Sequence, residues 1–391
     1  MVFPSGVLYN HYMTLLNFSL FLGGTIIVVA TLLAAIRTVV LPRAERPMIS
    51  ALVFRITRFF FKILTRKAHS YQQRDRIMSF YAPLSLLLLP IEWVSLILLG
   101  YTAMFRAVGV SPWIAAFETS GSSLLTLGFV PVETPLQYIL AFSEATIGLG
   151  IVALMLAFLP SIYASFSRRE TLVALLETRA GSPPSAVEML SRMNRIGLLD
   201  NLSETWDRWE VWFADVEESH TTHAALVFFR SPRPDRSWVT AAGTVMDTAA
   251  LLLSTVDVPR DPHAAMCIRS GYIALRQIAD FFEIEYEGDP QQGDPISIMR
   301  YEFDEVCQEL ESQGIPLKAD RDQSWLDFAG WRVNYDTTLL AIAEMVMAPY
   351  ALWASDRQPC YHMWLKGDQV ETYRMAHQKR MTALEISGNG D

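Results

Sequence analysis

WIAAFETSGSSLLTLGFVPVETPLQYILAFSEATIGLGIVALMLAFLPSIYASFSRRE, residues 113–170, strings together three different kinds of segment. Residues 113–125 form a semi-polar, helix-like run, too short and too rich in Ser, Thr and Glu to cross a bilayer alone. Thr126, Leu127, Gly128 and Phe129 follow, and the chain turns at Pro131 and Pro135. Beyond the turn comes an apolar helix long enough to span, carrying Gly148, Gly150 and a late Pro160, with a basic stop at Arg168 and Arg169. Irregular backbone at membrane depth is tolerated only where it is buried in protein or lines a water-filled path. The order short helix, Gly-containing loop, full span therefore predicts a re-entrant pore loop.

Cation selection asks for a loop of this kind, because a ring of backbone carbonyls and Thr hydroxyls can replace a hydration shell. Gly128 would let the peptide groups aim their oxygens at an axis, since glycine takes left-handed angles without steric cost. The tetrapeptide Thr126-Leu127-Gly128-Phe129 resembles the Thr-Val-Gly-Tyr signature of potassium channels. The helix after it, IGLGIVALMLAFLPSIYASFSRRE, resembles the inner helix of their two-transmembrane pore module, with a hinge glycine and a proline near the cytoplasmic end. This likeness covers roughly residues 80–170. It departs from the potassium-channel pattern where Val130 and Pro131 stand in place of Gly and Asp, and Val takes left-handed angles poorly. Gly128-Phe129-Val130-Pro131 is instead similar to the single-glycine filters of the Trk/Ktr/HKT cation transporters, which carry four such loops in one polypeptide. The resemblance implies a cation path and leaves K⁺ against Na⁺ open.

Composition agrees with a membrane protein: 51% of the 391 residues are hydrophobic and mean hydropathy is +0.22. Charge divides the chain. Residues 1–170 hold 13 Lys and Arg against 7 Asp and Glu, whereas the remainder holds 19 against 34 and so carries −15. The three cysteines, Cys267, Cys307 and Cys360, all lie in the acidic part without disulfide-framework spacing, which fits reduced thiols on a cytoplasmic face. No basic run precedes the first apolar segment, so no cleaved signal peptide is expected.

Residues 13–41 are long enough to span, and residues 1–36 contain no formally charged side chain. Residues 43–76 then bring nine basic residues (Arg43, Arg46, Arg55, Arg58, Lys62, Arg66, Lys67, Arg74 and Arg76) against Glu45 and Asp75. The positive-inside rule makes that segment cytoplasmic. Ile49, Leu52, Val53, Ile56, Phe59, Phe60, Ile63 and Leu64 recur in it at helical spacing, with Arg55, Arg58, Lys62 and Arg66 on the other face. The pattern predicts an amphipathic interfacial helix with its cations toward anionic headgroups, the alternative being a helix packed on the cytoplasmic domain. Residues 78–105 make the second span, interrupted by Pro90 and Glu92. Glu92 and, in the next span, Glu144 are intramembrane carboxylates, functional by default or else hydrogen-bonded to a neighbouring helix. The N-terminus is thus expected outside and the C-terminal part inside, with the loop dipping from the outside.

From Thr171 onward helix follows helix. The inner helix is expected to run to Arg179, where Gly181-Ser182-Pro183-Pro184 breaks it, and Ser185 with Glu188 forms a capping box for the next. Further breaks fall at 231–237, 258–262, 287–295 and 314–316. Trp206, Trp209, Trp212, Trp238, Trp325, Trp331, Trp353 and Trp364 provide bulk for a core. The apolar runs 239–256 and 339–353 are read as buried helices of that bundle, because each carries a carboxylate (Asp247, Glu344). No glycine-rich phosphate loop is present. Glu218, His220 and His223, or Cys360 and His362, lack the four-ligand pattern of a zinc site, and Glu283, Glu285, Glu287, Asp289 and Asp294 do not match an EF-hand.

These readings predict an all-α membrane protein: three transmembrane helices, one re-entrant loop and an all-α cytoplasmic domain. Its parts are residues 1–42 (first span), 43–76 (interfacial helix), 77–170 (pore module) and 171–391 (acidic domain). The expected function is the pore-forming subunit of a cation channel in the cell membrane, conducting K⁺ or weakly selective among monovalent cations. One loop supplies one arc of carbonyls, so several copies must close a ring, and the resemblance implies four. Thr126, Leu127, Gly128 and Phe129 are the expected filter, flanked by Val130 and Pro131, with Gly148, Gly150 and Pro160 allowing the inner helix to bend. Expected partners are further copies of the chain, anionic lipid at 43–76 and an unidentified cytoplasmic ligand. No metal, cofactor or nucleic acid is expected beyond permeant K⁺ or Na⁺. The alternatives are a scaffold whose non-conducting pore module oligomerises the acidic domain, and an enzyme tethered to the membrane.

Overall fold

A computed structural model describes residues 5–39, 48–66, 68 and 70–356. Arg43, Glu45, Arg46, Lys67, Cys360, His362 and Trp364 lie outside those residues. Among the described residues every regular element is helical, apart from an isolated bridge between Val256 and Leu317. Met1–Arg168 and Glu218–Arg230 form one unit; Arg169–Glu217 and the chain from Ser231 form the other.

The first unit contains α1 (Ser5–Val39), α2 (Met48–Thr65), α3 (Tyr71–Met78), α4 (Tyr81–Ala107), α5 (Trp113–Leu124) and most of α6 (Pro135–Ala180). Three stretches, Thr14–Val39, Tyr71–Ala107 and Pro135–Ala180, are long and apolar enough to cross a membrane. Their outward faces are apolar as well, with Phe18, Ile26, Leu87, Ile91, Phe142 and Leu156 all exposed. A water-soluble helix hides such a stripe against a core. In α4 and α6 the prolines Pro90 and Pro160 sit inside unbroken helices. Each lacks an N–H, so the carbonyls of Leu86 and Leu156 lose their helical donor.

Helices α1 and α4 cross where glycine faces glycine. A Cβ on Gly24 would overlap the carbonyl oxygen of Gly100, and one on Gly100 would meet that of Gly24 at 2.9 Å. Small residues permit this approach, the usual means of packing helices in lipid. Trp93, Ile97 and Phe105 of α4 have no exposed surface and centre the apolar cluster that includes Ala116, Leu124, Leu140 and Ile151. Helix α2 buries the stripe Ser50, Val53, Thr57, Phe61 and Thr65. Thr38 and Ser50 tie it to α1 through a 2.8 Å hydroxyl contact. Its Leu52, Ile56, Phe59, Phe60, Ile63 and Leu64 are left exposed. The segment Glu218–Arg230 also belongs here: Leu226 enters the cluster around α4, Phe228 stacks edge-on against Tyr81, and Arg230 donates to Asp75 at 2.7 Å.

The second unit contains the end of α6, α7 (Ala186–Arg195), most of α8 (Ser203–Thr222), α9 (Trp238–Ser254), α10 (Pro262–Phe281), α11 (Arg300–Ser312), α12 (Arg321–Arg332) and α13 (Asp336–Val346). Polar caps fix several starts: Asp261 accepts from the His263 amide at 2.9 Å and Asp320 from that of Gln323 at 2.9 Å. Before α7 only half of the expected capping box forms. Ser185 accepts from the Glu188 amide at 3.5 Å, but the Glu188 carboxylate turns to Arg192, one turn further on, at 2.5 Å.

Helix α9 is buried at every residue except Leu253 and packs against α7, α10, α12 and α13. Its one carboxylate, Asp247, accepts from Arg332 at 2.6 Å and from the Tyr335 hydroxyl at 2.8 Å. Arg332 also donates to Asp336 at 2.7 Å, and Asp336 receives both the amide and the hydroxyl of Ser297. Burial works against the Arg332 charge, but Asp247 and Asp336 outweigh it and hold the guanidinium charged. Removing one member of such a buried set costs about 3–5 kcal/mol, because the others are left uncompensated. Trp209, Trp212 and Phe213 add an edge-to-face aromatic layer from α8, and Trp206 is buried on the same helix.

Candidate functional site

The loop between α5 and α6 folds back on one residue. Ser122, buried in the last turn of α5, accepts from the amides of Leu127 (2.8 Å) and Gly128 (3.4 Å) with its carbonyl. Its hydroxyl oxygen accepts from the amides of Phe129 (3.1 Å) and Val130 (3.3 Å). Four consecutive N–H groups therefore converge on Ser122. In a trans peptide the carbonyl of one residue points opposite to the N–H of the next. The carbonyls of Thr126, Leu127, Gly128 and Phe129 accordingly point away from Ser122. Among the described residues no hydrogen bond reaches any of the four.

Two left-handed residues produce this geometry. Gly128 has φ of +72°, and Thr126 has φ of +53°. For a β-branched residue that conformation stores about 1–3 kcal/mol of strain, a cost that clusters at functional positions. Val130 is not left-handed. The far end of the loop is anchored separately, by Gln137 Oε1 accepting from the amides of Glu133 (2.9 Å) and Thr134 (3.3 Å). The C-terminus of α5 lies at the loop, so the negative end of its helix dipole is directed there.

Behind α5 stands a polar wall from the neighbouring helices. Glu144 of α6 is wholly buried; its Oε1 lies 2.5 Å from the Ser120 hydroxyl, and its Oε2 has no partner. Ser120 also reaches the Leu98 carbonyl at 3.1 Å. One turn below Glu144, Gly148 lets α6 touch the end of α5, since a Cβ there would overlap the Leu124 carbonyl oxygen. Gly150, by contrast, faces open space. Glu92 lies elsewhere on α4, with Oε2 enclosed and unpartnered. Thr126, Leu127, Gly128, Phe129, Val130, Gly148 and Glu144 are thus gathered around the end of α5, whereas Glu92, Gly150 and Pro160 are not part of that cluster. Ser122, Ser120 and Gln137, which hold the loop in place, were not singled out by sequence. Serine and glutamine bond to nearby amides without a fixed spacing, so no pattern announces them.

The other candidate groups do not converge. Among the described residues no set of three or more His, Cys, Asp or Glu side chains is arranged to hold a metal. His220 lies 3.1 Å from the Ser219 hydroxyl, and His223 sits edge-on to Phe158, where burial pushes its imidazole below the ordinary range. In the acidic loop, Glu287 and Asp294 accept from the amides of Asp289 and Gln291. Cys267 and Cys307 are buried free thiols. No protein-family model matches the chain, and no curated protein or solved structure matches it either.

Proposed function

We propose that this chain is the pore-forming subunit of a monovalent-cation channel that works as a homotetramer. One observation carries the proposal: four successive amides are engaged on Ser122, which leaves the carbonyls of Thr126–Phe129 unengaged on the opposite side. Unengaged carbonyl oxygens are what a dehydrated cation needs, and no isolated loop could close a ring with them. The loop enters between two spans from the outer side of the membrane, and residues 171–391 form a cytoplasmic domain fused to the inner helix. Further support comes from the exposed apolar side chains Ile114, Phe117, Leu127 and Phe129 along α5 and the loop, which adjoining copies would cover. The exposed apolar residues of α2, flanked by Arg55, Lys62 and Arg66, suit an anionic headgroup layer. The negative cytoplasmic domain would enrich cations at the inner mouth.

Flux from purified protein in liposomes, under separate K⁺ and Na⁺ gradients, tests this function. Passive cation flux is expected from the wild type, and Gly128→Val should abolish it without changing the size of the oligomer, because Val cannot hold φ of +72° without strain. Normal flux from that variant contradicts the filter assignment. An intact wild-type oligomer that conducts neither ion, even after its inner helix has been loosened, points to the scaffold instead.

A further inference from the structure

The second unit as a whole repels anions, yet it contains one cleft of the opposite sign. The cleft has a volume of about 760 Å³ and is lined by the last turns of α6 and α7 and the first turns of α8. Four arginines line it, Arg179, Arg192, Arg195 and Arg208, against the two carboxylates Glu188 and Glu204. Two of the cations are already committed. Arg192 pairs with Glu188 at 2.5 Å and covers the carbonyl end of α6 through Glu177 (3.1 Å) and Thr178 (2.7 Å). Arg208 pairs with Glu204 at 2.5 Å. Both carboxylates are therefore balanced within the lining. Arg179 and Arg195 have no partner among the described residues, and neither do the side chains of Asn201 and Thr205 between them.

An unbalanced pair of guanidiniums with a side-chain amide and a hydroxyl is a donor-rich surface suited to an oxyanion of charge −2 with several acceptor oxygens. Ile196 and Leu198, both exposed, give the same cleft an apolar rim. We propose that this cleft binds a phosphate-bearing anion, held by Arg179 and Arg195. The phosphate could come from a phospholipid headgroup or from a free phosphorylated solute. The inference is independent of whether the pore conducts.

The test uses the full-length chain in detergent and two probes: pyrophosphate in solution, and vesicles of phosphatidylcholine with or without phosphatidylglycerol. The variant is Arg179→Gln/Arg195→Gln, which leaves the Arg192–Glu188 and Arg208–Glu204 pairs intact; an unchanged melting temperature without probe confirms its fold. The expected result is at least a tenfold loss of affinity in the variant for one of the two probes. A loss confined to pyrophosphate identifies a soluble ligand, and a loss confined to phosphatidylglycerol vesicles identifies a headgroup. Equal affinities of wild type and variant for both probes would overturn the proposal, as would failure of the wild type to bind either. Should the double variant melt lower, Arg195→Lys replaces it: this variant keeps the charge but loses the planar fork, and unchanged binding by it would likewise count against the site.

Discussion

Ser122 is the residue on which the loop depends. Its carbonyl and hydroxyl oxygens together accept four amides, and changing Ser122→Ala removes the acceptor for Phe129 and Val130 while sparing the other two. Losing two such hydrogen bonds costs about 0.5–1.5 kcal/mol each, enough to let the outer half of the loop rotate. The variant should still assemble but should lose any preference between K⁺ and Na⁺ in paired-gradient liposome flux; wild-type selectivity in it would show that something else fixes the loop. Sequence alone pointed to Thr126–Phe129 because a glycine between two spans is a restrictive pattern. It did not reveal that Thr126 is left-handed as well, since a β-branched residue disfavours that region.

At the scale of elements, the boundaries of α5, α6 and α7 were legible because punctuation marks them: Pro112 before α5, Pro135 at the start of α6, Gly181 to Pro184 after it. What one glycine does inside a helix was less legible, because bending and close packing call for the same residue. Gly148 and Gly150 separate the two roles. Gly148→Ala would force α6 away from Leu124, an overpacking cost of about 1–3 kcal/mol, and should cut flux by roughly tenfold or more. Gly150→Ala meets nothing and should leave flux within a few-fold of wild type. Equal losses in liposome flux would return both to a hinge role. A second inter-helix contact titrates: His263 at the start of α10 lies 2.5 Å from Asp207 on α8. The hydrogen bond and charge of Asp207 raise the His263 pKa above its ordinary 6.5. A raised histidine stabilises the folded form fully below pH 6.5 and ceases to do so as pH rises through the higher folded value. Histidine NMR on the full-length protein should show the imidazole signal that is lost in His263→Gln titrating above 6.5. Asp207→Asn should lower that value, although Asp261 and Glu210 continue to raise it; a titration unmoved by that change would remove Asp207 as the cause.

On the scale of the whole molecule, the uneven charge of the two parts was plain in the sequence, and three helices long and apolar enough to span were legible by length and hydropathy. The buried Arg332–Asp247–Asp336 set was not, because Asp247 lies 85 residues before Arg332 and only folding brings it to the Arg332–Asp336 pair. Nor did the acidic part read as contributing to the first unit, since nothing in the composition of Glu218–Arg230 marks it as belonging with α4. The proposed filter belongs to an assembly: the carbonyls of Thr126, Leu127, Gly128 and Phe129 from several copies surround a cation. An experimental structure of the lipid-reconstituted oligomer soaked in Tl⁺, with the ion located by its anomalous scattering, tests it most directly. The expected result is fourfold symmetry with Tl⁺ on the axis, ringed by those carbonyls. An ordered oligomer whose loops face away from any shared axis, with no Tl⁺ between them, would contradict it.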